Sequence, residues 1–318
     1  MTKRWSGFSL IELMLALVLG LLLLGGAIGV FLANQASGRT NSALGELQNI
    51  ARISTTLMSY DIRNAGFNGC SNTRMSNVIA VAGAQPAWAD WPFGGGIEGL
   101  RAPVGTIGGV NATAGTEALR LMYGAGESWL IEDYDGSTLT LNEAPSLSSG
   151  DIVIACDEKL ASIFQATSVV GDEVTHFQSG LNCDDNLGFV PSAAWSCGTA
   201  DPRTFSNSGM LMAFQSVVWF VAQSTDNPNV DSLYRASLIG DALVSEEIVY
   251  GVSGMTLTYL DADTMNFMTA AQIEATSFWE DVIAVRVVID VDDDAIENIE
   301  IPDEAQSFTF ITNLRNRT

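Results

Sequence analysis

Few side chains in this sequence could do covalent chemistry. His176 is the only histidine among 318 residues, so any imidazole-activated nucleophile would have to rely on it. It stands in "DEVTHFQSG", which reads as a strand end, and no Gly-x-Ser-x-Gly elbow is present. The 37 Asp and Glu residues are too many to single out an acid pair for glycosidase work. The cysteines Cys70, Cys156, Cys183 and Cys197 contain no Cys-x-x-Cys pair, which argues against a metal centre. In "IDVDDDAIENIEI", Asp290, Asp292 and Asp294 mimic the opening ligands of a calcium loop. Ala295 replaces its turn glycine and Ile301 its bidentate glutamate, so the run reads first as a solvated strand end and second as a calcium site. The expectation is a protein that is not an enzyme and needs no cofactor.

The most unusual chemical group is Glu12, inside "GFSLIELMLALVLGLLLLGG" (residues 7–26). Residues 13–33 carry no charge, and as a helix they cover about 30 Å, enough to cross a bilayer. A carboxylate at the front of such a run is costly unless partnered, so its default reading is functional. A cleaved secretory peptide fits poorly, because the run is too long and no Ala-x-Ala site follows it. Lys3 and Arg4 precede the run and Arg39 is the first charge after it, which places the N-terminus in the cytoplasm and the rest outside.

Outside the cytoplasm, four cysteines are expected as disulfides, with three connectivities open. The favoured pairing is Cys183 with Cys197, closing a short loop, and Cys70 with Cys156, tying a helix end to a sheet. The formal charge of −23 disfavours nucleic acid and anionic lipid as main partners.

No proline occurs before Pro86, and Leu44, Leu47, Ile50, Ile53, Leu57, Met58 and Ile62 recur at helical steps. One helix is therefore expected from Phe8 to about Arg63. Gly20, Gly25, Gly26 and Gly29 would let neighbouring helices approach its apolar half. Beyond Gly66, "AGAQPAWADWPFGGGIEGLRAPVGTIGG" reads as a long loop. Short strand-like runs follow, among them "EALRLMYG", "DIVIACD", "FQSVVWFVAQ", "DSLYRASL", "GMTLTYLD" and "VIAVRVVIDV". Many strands without intervening helices imply antiparallel sheets. Trp88, Trp91, Trp219 and Trp279 read as core, with Trp88 and Trp91 the better candidates for a surface contact.

The basic leader ending in glycine, followed by "FSLIEL", resembles the processing signal of type IV pilins and type II secretion pseudopilins. The resemblance implies cleavage by a prepilin peptidase between Gly7 and Phe8, N-methylation of Phe8, and Glu12 as the fifth mature residue. In the family this glutamate is thought to pair with the N-terminal amine of a neighbouring subunit. Loss of residues 1–7 removes Lys3 and Arg4 and takes the formal charge from −23 to −25.

"YDIRNAGFNGC", "GTEALRLMYG", "GDIVIACDEKLASIFQAT", "EEIVYGVSGMTLTYLDAD", "WEDVIAVRVVI" and "NLRNR" are together similar to PilW-type minor pilins. Where that family often has glycine-rich acidic text after its Tyr-x-Asp-x-Asp run, Tyr259, Asp261 and Asp263 are here followed by Met265 and Phe267.

The resemblance implies an α+β pilin fold, with a long N-terminal helix, an antiparallel sheet head, and a second sheet or large insertion. Residues 1–7 form the leader, 8–65 the helix (membrane and filament-core half 8–33, amphipathic half 34–65) and 66–318 the head. The implied role is a minor pilin that docks through Phe8 and Glu12, primes type IV pilus assembly and sits at the pilus tip. Its implied partners are other minor pilins, the major pilin, the prepilin peptidase and the inner-membrane assembly platform. The location is the inner membrane of a Gram-negative bacterium before assembly and the extracellular pilus afterwards. A J-like pseudopilin of type II secretion, a tip adhesin using loops around Trp88 and residues 183–197, and a membrane-anchored periplasmic enzyme are the rival readings.

Overall fold

The computed structural model describes residues 9–70, 74–91, 95–102, 104–189, 196–206, 208–276, 278–292 and 306–317. Helix α1 (Leu10–Asn64) is 55 residues long, about 80 Å at ~1.5 Å per residue. Its run has no proline to break it, and it ends at the expected place. Ala43, Ile50, Ser54, Met58, Ser59, Asp61 and Ile62 are its buried positions, spaced so that one narrow stripe faces the head. The expected apolar face is wider than the buried one: Leu47 and Ile53 are only partly covered, and Leu44 and Leu57 stay 47% and 41% exposed.

The head is built from β1 (Met75–Asn77), β2 (Ile97–Leu100), β3 (Thr106–Ile107), β4 (Val110–Asn111), β5 (Ala118–Tyr134) and β6 (Thr138–Leu141). There follow β7 (Ile152–Cys156), β8 (Ala161–Gln165), β9 (Ser168–Val170), β10 (Glu173–Thr175), β11 (Met210–Gln223) and β12 (Asp231–Ile239). The last are β13 (Ala242–Tyr250), β14 (Val252–Asp261), β15 (Phe267–Met268), β16 (Val282–Val291) and β17 (Ser307–Asn313). One short helix, α2 (Ala270–Thr276), lies between β15 and β16.

Strands β5 and β11 pair antiparallel and form the spine of the larger sheet. Each serves two sets of neighbours. β11 pairs with β7 over its first residues and with β12 over its last, while β5 pairs with β2 near its start and with β6 near its end. The β5–β11 register shifts between Met212 and Ala213, close to this change of partners, and such a bulge lets a long strand bend. β13 extends the sheet beyond β12. At the other end β8 and β1 extend it beyond β7, with β1–β8 a parallel pair. The second sheet has the order β15-β14-β16-β17 and is wholly antiparallel.

The main core fills the space between α1, one face of β5, β11 and β12, and the second sheet, around Ile62, Trp219, Tyr259 and Val287. Behind the same strands lies another cluster with Phe220 and Tyr234. Both faces of β11 are covered, which explains why "VVWFVA" reads as an unbroken apolar run. Two further clusters flank the β7–β8 end of the sheet, one around Trp129 and Phe164 and one around Trp88, Trp91 and Phe214.

His176 is one of the buried groups in that region, 1% exposed. Its ring stacks on Tyr134 and meets Phe164 edge-on. The Tyr134 hydroxyl donates to the Gly136 carbonyl at 2.9 Å, so its contact with His176 Nε2 at 3.0 Å assigns the ring proton to Nε2. Nδ1 is buried without a partner. Protonation there would bury an unmatched charge, and burial pushes His176 down to about 4 despite the nearby Asp185 and Asp135 carboxylates.

The unfolded chain takes up this proton near pH 6.5 and the folded chain only near pH 4, so the stability is present above pH 6.5 and lost as pH falls through that window. Between pH 7.5 and 5 the loss assigned to His176 is about 2 kcal/mol. Thermal unfolding of the detergent-solubilised chain across this range checks it: His176→Gln should show a shallower decline than wild type. Equal slopes would remove His176 as the cause.

Candidate functional site

The functional candidate is α1 together with its seat on the head. In the first turn, the Ser9 N–H donates to Glu12 Oε2 at 3.3 Å and the Leu13 N–H to the Ser9 carbonyl at 3.2 Å. Glu12 thus offers an acceptor to an otherwise unpaired amide and places negative charge at the positive end of the helix dipole. Its side chain remains exposed. Gly7 and Phe8, the expected cleavage and methylation residues, lie outside the described residues.

From Leu10 to Leu32 the large apolar side chains are exposed, from 55% at Val18 to 76% at Leu10. The most apolar 18-residue window of α1 has a mean hydropathy of 2.7 and is 0% buried, so the helix is long and apolar enough to cross a membrane. An unpartnered apolar surface of this extent calls for lipid or other helices.

The other end of α1 is held by a buried carboxylate. Asp61 is 1% exposed. It accepts hydrogen bonds from Tyr123 Oη at 2.7 Å, Trp219 Nε1 at 2.8 Å, and Arg235 Nε and Nη2 at 2.8 and 3.1 Å. Trp219 and Arg235 stand opposite each other on β11 and β12, and Tyr123 lies on β5 four residues along from Leu119, the residue opposite Trp219, so one helix residue is tied to three strands. Burial opposes the charge on Arg235, but its hydrogen bonds and attraction to Asp61 outweigh that and hold the guanidinium above its ordinary value. Burial, with Asp61 beside it, raises Tyr123 far above the ordinary phenol range.

Where the helix ends, the chain joins the sheet edge-on. The Gly66 N–H donates to the Met122 carbonyl at 2.9 Å and the Gly124 N–H to the Phe67 carbonyl at 2.6 Å. Gly96, at φ +60°, lies so close that a Cβ there would sit 2.6 Å from the Gly66 nitrogen. Arg317 closes the junction from the C-terminal end, donating to the Val282 carbonyl at 2.9 Å and to the carbonyls of Trp279 and Gly95. Burial lowers it to about 10. Residues from "YDIRNAGF", "EALRLMYG", "WEDV" and "NLRNR" therefore meet at one place. Asp61 could have been suspected from the sequence as a charge on the core-facing side of the helix; its partners on β11 and β12 could not.

Other expected site residues are placed as follows. Cys70 is bonded to Cys156, tying the end of the helix segment to β7 as expected. The second expected bridge is not formed. Cys183 and Cys197 are free thiols, and Cys197 Sγ is turned onto the Cys183 carbonyl at 3.0 Å. Asp184 holds the facing segment through the Ala200 and Asn186 N–H groups at 2.8 and 2.9 Å.

Trp88 and Trp91 are 8% and 5% exposed, so they are core residues and leave no aromatic platform for a surface contact. Asp290 lies on β16 over Gly254, and the Asp292 N–H donates to the Gly251 carbonyl at 2.9 Å. Asp294 lies outside the described residues. Among the described residues no group of three or more His, Cys, Asp and Glu is placed to hold a metal ion. Asp261 is buried and accepts the Thr264 N–H and hydroxyl at 2.8 and 2.7 Å, shaping a turn. Tyr259 meets Trp279 edge-on in the core.

A cleft of about 490 Å³ beside β2 is lined by two paired arginines. Arg120 meets Glu98 at 2.6 Å and Arg101 meets Glu274 at 2.8 Å, so its charges are matched internally.

Replacing Asp61 tests the seat of the helix. Asp61→Asn keeps the volume but removes the charge opposite Arg235 and turns an amide donor toward a site made of donors. Breaking such a buried pair on one side costs roughly 3–5 kcal/mol. Thermal unfolding should fall accordingly, and amide exchange should quicken in residues 54–64. An unchanged melting temperature would show that the apolar stripe alone seats α1.

No protein-family model matches this chain, and no curated protein matches it.

Proposed function

We propose that this chain is a minor pilin, a subunit that inserts its N-terminal helix among the helices of other pilins and helps to start a type IV pilus filament. The observation that carries the proposal is α1 itself. It is a single 55-residue helix with an acid in its first turn, bare over its apolar half and clamped to a sheet head by its other half. A helix that only anchored the chain would need neither Glu12 nor rigid continuation into the head. A subunit that transmits position from the membrane to an exposed head needs both.

On this reading the prepilin peptidase cuts between Gly7 and Phe8, and Phe8 is methylated. Glu12 then exchanges its local contact with the Ser9 amide for the stronger attraction of a neighbouring subunit's terminal amine. Each charge is costly alone in an apolar setting, and the pairing is available at one axial offset, so it sets register as well as affinity. The partners are other minor pilins, the major pilin and the inner-membrane assembly platform. The large head suits a tip position better than a repeated shaft position.

Intact-mass measurement of the membrane-derived protein tests the processing step, and the expected chain begins at methylated Phe8. Retention of Met1 would remove the pilin reading.

Glu12→Gln tests docking. It should still insert, since loss of a charge only makes the span more apolar. It should support fewer sheared surface filaments and recover less partner pilin at equal protein level, a deficit of roughly tenfold or more if a few kcal/mol of pairing is lost. Wild-type filament numbers and partner recovery would show that Glu12 does not carry docking. A secretion defect with normal pili would move the chain to the type II secretion apparatus.

A further inference from the structure

Sulfur atoms gather around the one disulfide of the described residues. Met75, Ala161, Cys156 and Met210 stand opposite one another in register across β1, β8, β7 and β11. Residues opposite in register share a face of the sheet, so Met75 and Met210 flank Cys156 on the side that carries Cys70. Met210 is its immediate cross-strand neighbour.

Gly69 marks how closely they crowd. A Cβ there would lie 2.8 Å from Met212 Sδ, 3.2 Å from Cys156 Sγ and 3.8 Å from Met210 Cε. Met75 Sδ accepts the Asn68 amide at 3.8 Å, and Asn68 Oδ1 accepts the Cys70 N–H at 2.9 Å. The layers differ in access. Cys156 and Met212 are 0% and 4% exposed, whereas Met75, Met210 and Cys70 are half-buried. A small oxidant entering along the Cys70 side therefore meets thioethers at the same depth as the disulfide.

We propose that Met75 and Met210 form an oxidisable guard for the Cys70–Cys156 bond, consuming two-electron oxidants such as hypochlorous acid before they reach the disulfide. In the step, a thioether lone pair takes the oxygen of HOCl. The sulfur loses two electrons and becomes a sulfoxide, chlorine leaves as chloride, and one proton is released. The product is chemically reducible, whereas conversion of the disulfide to sulfonic acids is not. The bond being guarded closes a separation of 86 residues and joins the end of the helix segment to the sheet, so its loss would free the junction that Asp61 and Gly66 build.

The test is titration of the intact, detergent-solubilised chain with hypochlorous acid, read by peptide mass spectrometry. In wild type, sulfoxide at Met75 and Met210 should precede both sulfoxide at Met212 and cysteic acid at Cys70 and Cys156. In Met75→Leu/Met210→Leu, which keeps volume and apolarity, cysteic acid should appear at a several-fold lower oxidant ratio. The chain has 10 methionines besides its free thiols, so bulk scavenging alone would shift that ratio by at most two parts in ten. Met265→Leu, at a position 65% exposed in the turn between β14 and β15, should shift it no further than that. Equal shifts in the double and single variants would overturn the proposal, as would cysteic acid preceding sulfoxide in wild type. The wild-type order decides the matter even if the double variant does not fold.

Discussion

The buried carboxylate of Asp61 is the constraint on which the arrangement of helix and head depends. An ionised group with almost no solvent access is tolerable only when its oxygens are filled with donors. Here Tyr123, Trp219 and Arg235 fill them. The demand is directional. The apolar stripe of Ile50, Met58 and Ile62 could slide or rotate on a greasy sheet at modest cost, but Asp61 cannot move by one residue without leaving several donors and a charge unmatched. The hydrophobic contacts hold the helix down, and the polar cluster sets where it stops.

The rest of the junction follows from that seating. The chain leaving α1 must run straight into the sheet, which brings the backbone at Gly66 against Gly96 and Met122, too close for a Cβ at Gly96. The C-terminal segment returns to the same point, and Arg317 gathers carbonyls from Gly95, Trp279 and Val282. The Cys70–Cys156 bond adds a covalent tie one strand group away. A rod fixed this firmly to its head can carry axial position from one end of the molecule to the other, which is what docking in register at Glu12 would require.

The apolar half of α1 stands in contrast. It is free of the head and rich in leucine, and its glycines make close helix approach easy. In a bilayer, which leaves backbone groups no other partner, such a stretch would need no tertiary support for its helicity. The head half, in water, needs the stripe and the clamp. One continuous helix thus joins a bare apolar half to a half seated on the head, and its side chains change character near residue 34.

Much of this was legible in the residues. The length of α1 and the position of its end were set by an unbroken helical period with no proline, and β16 coincides with "VIAVRVVIDV" because alternation and β-branching are local properties. The α+β class followed from the same short-range signals. What tertiary structure decided was long-range. Asp61 finds partners 62, 158 and 174 residues away, a pairing that no local period encodes. Leu44 and Leu57 belong to the apolar period and yet stay in solvent, because the sheet covers a narrower arc of the helix than the sequence offers. Cys183 and Cys197 are near neighbours by loop length and their side chains meet, yet no bond joins them, and Cys197 Sγ also rests on the Cys183 carbonyl. Trp88 and Trp91 read as core from the sequence and are core, but which strands cover them, β7, β8 and β11, sequence order alone could not say.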